Sequence, residues 1–89
     1  MEPFPHHYDV TASATSEGHV SLRADDVQEI VSAPPAEFGG PGDKWSPESL
    51  LIAAVADCFV LSFRAIARAS KLEWIDLRCD ASGTLDRVE

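Results

Sequence analysis

Residues 46–70, SPESLLIAAVADCFVLSFRAIARAS, constrain the fold of this chain more than any other stretch. They read as one uninterrupted helix. Ser46 suits the N-cap, because its hydroxyl can accept a backbone N–H left unpaired by the helix start. Pro47 fits the first helical position, where no donor is needed. Glu48 places negative charge at the positive end of the helix dipole, and Arg64, Arg68 and Lys71 place positive charge at the other end. Such a helix spans roughly 36 Å, the diameter of a small domain. At about 100° per residue, Asp57, Arg64, Arg68 and Lys71 fall on one narrow stripe. Leu50, Leu51, Ile52, Val55, Phe59, Val60, Phe63, Ile66 and the alanines fill nearly all the rest. A helix apolar almost all round belongs in an interior, so a buried central helix is expected.

The chain offers little to bury it with. Its 89 residues make at most one domain, residues 1–89. A chain this short buries only about 60–65% of its unfolded surface. The mismatch predicts a folded unit larger than this chain: either a partner subunit supplies the cover, or the sequence is incomplete at its C-terminal end. The net charge is −8, from 15 acidic and 7 basic residues, and the basic residues form no patch, which argues against nucleic acid as a partner. No basic region followed by an apolar run opens the chain, so no secretory signal is read. Residues 50–67 have the length of a membrane span. Asp57 and Arg64 lie inside that run and would be costly in lipid, which argues for a soluble protein. Two cysteines without regular spacing make no disulfide framework, and a cytoplasmic location is the default.

Ahead of the helix, residues 7–15 alternate, with Tyr8, Val10, Ala12 and Ala14 on one side, as a strand would. Ser16-Glu17-Gly18 is a turn. Residues 19–24 alternate again, with Val20, Leu22 and Ala24 inward. Asp25-Asp26 is a second turn, and residues 27–32 form a third, less regular strand. A connector rich in Pro and Gly follows at 33–45, with Phe38 and Trp45 as its anchors. Beyond the helix, residues 74–81 set Ile75, Leu77, Cys79 and Ala81 against Asp76, Arg78 and Asp80, the pattern of a half-buried strand. Gly83 marks a turn, and residues 84–89 begin another strand. The order predicts an α+β architecture, an antiparallel sheet packed on a long central helix.

Cys58 is the first candidate for chemistry. Taken alone, it reads as a small buried hydrophobe. A thiol ionises near ~8.5, and holding it mostly as thiolate at pH 7 takes roughly 2.7 kcal/mol. An exposed ion pair supplies only about 0–1 kcal/mol. Activation therefore requires a cation held close in a desolvated pocket, an arginine being the best suited. Glu48 is the second candidate, although compensation of the helix dipole explains it equally well. It precedes Cys58 by ten residues, roughly 15 Å along the axis, so it cannot touch the thiol of its own chain. Two such helices packed antiparallel across a two-fold axis would bring Glu48 of one near Cys58 of the other. Arg23 is the most plausible cation from the strand region, and a solvated surface role is its alternative. Arg64 and Arg68 read as surface charge, and Cys79 as core. The His6-His7 pair has no third ligand for a metal. The run from Phe38 to Lys44 lacks the spacing of a phosphate loop. No metal or cofactor is called for.

Three runs carry a family resemblance: Glu37-Phe38-Gly39-Gly40, Trp45-Ser46-Pro47-Glu48-Ser49-Leu50-Leu51, and Ala53-Ala54-Val55-Ala56-Asp57-Cys58-Phe59. Together they resemble the OsmC/Ohr family of osmotically inducible and organic hydroperoxide resistance proteins. The resemblance implies an intertwined homodimer with the long helices at its centre and the active sites at the subunit interface. It implies that Cys58 attacks a peroxide oxygen and becomes a sulfenic acid, and that Glu48 holds an activating arginine, for which Arg23 is the candidate. It implies a resolving cysteine on a later helix, a position Cys79 does not match, and reduction by a small or lipoyl-type dithiol. The function expected is a thiol-dependent peroxidase acting on organic hydroperoxides. The alternative is a non-catalytic OsmC-like module for dimerisation or small-ligand binding, with Cys58 a buried thiol.

Overall fold

The computed structural model of the chain describes residues 2–88. Two units divide it, Met1–Pro47 and Glu48–Glu89. The first holds three strands, β1 (Thr11–Ser13), β2 (Val20–Arg23) and β3 (Ile30–Ser32). They form one antiparallel sheet in the order β1-β2-β3. Both expected turns are present. Gly18 has φ 92° between β1 and β2, and Asp26 has φ 64° between β2 and β3. A short polar side chain is among the few that tolerate this left-handed region.

Register assigns the faces. Ala12 pairs with Leu22, and Leu22 with Ile30, so these share one side with Val20 and Ser32. Thr11, Ser13, Ser21, Arg23 and Val31 share the other. The inward reading of Val20, Leu22 and Ala24 holds, since all three are partly covered. That of Tyr8, Val10, Ala12 and Ala14 does not, because all four are exposed. All three strands are shorter than the alternation suggested. The side-chain pattern runs past the residues that actually exchange ladder hydrogen bonds, and β1 is an edge strand with one neighbour.

The connector is folded rather than loose. The N–H of Ala33 donates to the carbonyl of Trp45 at 2.9 Å, and Ser32 bridges Trp45 in parallel, which closes its neck. Inside it, Ala36–Phe38 make one 3₁₀ turn, ended by Gly39 at φ 87°. The N–H groups of Phe38 and Gly40 both donate to the carbonyl of Pro35, at 2.9 and 3.1 Å. A loop whose ends meet and whose interior pairs with itself is an Ω-loop in kind. Its anchors are backbone groups: the side chains of Phe38 and Trp45 stay 64% and 52% exposed, contrary to their expected role. Ser32, Ala33 and Ser46 are buried beside the neck.

The helix α1 (Pro47–Ala69) matches the expected one to within a residue at each end. It ends in a Schellman motif. The N–H of Leu72 donates to Ala67 at 2.9 Å, that of Lys71 to Arg68 at 3.2 Å, and Lys71 takes φ 57°. Just beyond, Trp74 meets Phe63 edge to face, with ring centroids 5.2 Å apart.

Two expectations fail in this second unit. Residues 74–81 and 84–88 form no strand (Glu89, the last of the expected final strand, lies outside the described residues). Alternation makes a segment fit for pairing, but a strand exists only where a neighbour supplies the ladder. Cys79 is accordingly half-buried on a segment without regular structure, not in a strand core. The helix is also not buried within this chain. Ala67 is its one buried residue. The physical reason is supply: within its own unit, only the short segment after α1 is present to cover it.

Candidate functional site: the Cys58 face of the helix

The sides of α1 differ in cover. Ile52, Ala53, Ala56, Val60, Phe63 and Ala67 are half-buried or buried and recur at helical spacing. Asp57, Arg64, Arg68 and Lys71 are exposed on the polar stripe, as expected. A third side, Leu51, Val55, Phe59 and Ile66, is apolar, yet each of these side chains is more than half exposed.

Cys58 lies on this uncovered apolar side, as a free and exposed thiol. The expectation of a buried thiol, which belonged to the non-catalytic alternative, does not hold for the chain by itself. One turn on, the hydroxyl of Ser62 lies 3.9 Å from the Cys58 sulfur. This residue escaped the reading of motifs. The signal was present in the i, i+4 spacing, which places a lone hydroxyl beside a lone thiol on an apolar face.

Glu48 is in the first helical turn and exposed, where its charge complements the dipole. It makes no hydrogen bond or ion pair among the described residues. With Leu51, Ile52, Gly83, Thr84 and Leu85 it lines a small hollow of about 220 Å³. There Gly83 approaches so closely that a Cβ would sit 2.6 Å from Ile52 Cδ1. Arg23 is exposed at the end of β2 and likewise unpaired among the described residues. It belongs to the first unit, and Cys58 and Glu48 to the second. The two expected members on α1 thus share one rigid element, ten residues apart and out of contact, while Arg23 is carried by a separate unit.

A larger hollow, of about 720 Å³, opens between the β1–β2 turn and the connector, lined in part by Glu17, His19, Asp43 and Lys44. It contains neither cysteine. No group of three or more metal-ligating side chains occurs among the described residues. By length and composition alone α1 could cross a membrane. Asp57 and Arg64 inside it weigh against that setting.

The stretch that carries Glu48 and Cys58 is also the stretch that known proteins share. The family model described as OsmC-like protein matches residues 40–89. The chain belongs to the OsmC-like family. A similar protein, the uncharacterized YmaD of Bacillus subtilis (strain 168), is 33% identical over 52 residues. That match takes in 58% of this chain and 35% of YmaD, so the chain corresponds to about a third of that relative. The resemblance carried by the Pro47-Glu48 and Cys58-Phe59 runs is thereby established as family membership.

Proposed function

We propose that this OsmC-like chain acts as a cysteine-dependent peroxidase on organic hydroperoxides. The observation that carries the reading is the exposed Cys58 thiol on an apolar helix face, within the residues matched by the family. In the reaction, the Cys58 thiolate attacks the terminal oxygen of ROOH. The S–O bond forms as the O–O bond breaks, and the alkoxide leaves as ROH after taking a proton. Cys58 is left as a sulfenic acid. A dithiol then restores it. Its first sulfur displaces water to give a mixed disulfide, and its second displaces the Cys58 thiolate and leaves as a cyclic disulfide. Leu51, Val55 and Phe59 favour the hydrocarbon end of an organic peroxide over hydrogen peroxide.

The working unit in this reading is a homodimer in the cytoplasm, formed over the uncovered face of α1. A row of four large apolar side chains, each more than half exposed, supports an interface there. Antiparallel packing of two such helices would bring Glu48 of one chain toward Cys58 of the other, where it could hold an activating arginine. Arg23 is our candidate for that cation.

The test is turnover. Purified chain with cumene hydroperoxide and dihydrolipoamide should consume peroxide, and the Cys58→Ser variant should lose at least about a hundred-fold of that rate, as removal of a nucleophile does. Equal rates for the two proteins would refute the peroxidase reading and leave a dimerising or ligand-binding module.

A further inference from the structure

We draw no further inference here: the strongest candidate, the hollow of about 720 Å³ between the β1–β2 turn and the connector, is an open surface cavity whose charged and titratable lining side chains, Glu17, His19, Asp43 and Lys44, are all exposed, and no buried unpartnered polar group among the described residues is aimed into it to say what it would hold.

Discussion

Gly40 shows how much a single residue settles in this chain. A Cβ on Gly40 would lie 1.6 Å from the carbonyl oxygen of Pro34, a backbone atom that cannot step aside. Gly18 has positive φ but open space around it. Gly40→Ala should therefore destabilise the first unit by more than about 2 kcal/mol, because the connector must reopen. Gly18→Ala should cost only about 1 kcal/mol, from backbone strain alone. Urea melts of the two variants check the difference. The Pro and Gly content of residues 33–45 announced a connector, but the approach to Pro34 depends on a path that only the folded loop defines. Ser62 is a similar case. Its spacing to Cys58 was visible, while its partnership with the sulfur required both rotamers.

Among the elements, α1 was the most legible, because its start is written locally. Ser46-Pro47-Glu48 marks one end, and no Gly or Pro follows until beyond the basic last turn. The three strands were legible as elements and less so as lengths, since alternation extends past the pairs formed. Residues 74–81 mark where the reading ran out. Their alternation is real and Ile75 is almost wholly exposed, but pairing belongs to two segments and a sequence pattern describes one. Burial of α1 ran out for the same reason. Its periodicity states which side chains require cover and is silent on which molecule supplies it. If a second copy does so over Leu51, Val55, Phe59 and Ile66, the doubly charged variant Val55→Glu/Phe59→Glu should be monomeric by sedimentation while the parent is dimeric. Both should keep the helical signal, because glutamate is a better helix former than the valine and phenylalanine it replaces.

At the scale of the whole molecule, the second unit carries three exposed features together: the apolar row of Leu51, Val55, Phe59 and Ile66, the segment after α1 that forms no strand, and the Cys58 thiol. In the proposed homodimer a second copy would cover that row, with Cys58 beside it. The central claim remains chemical, that Cys58 is a reactive nucleophile and Cys79 is not. The most direct measurement is intact mass before and after about one equivalent of cumene hydroperoxide, for the parent chain and for Cys58→Ser. The account predicts rapid gain of one oxygen, or formation of a disulfide, in the parent and neither in the variant. Oxidation of Cys58 no faster than that of Cys79 would contradict it.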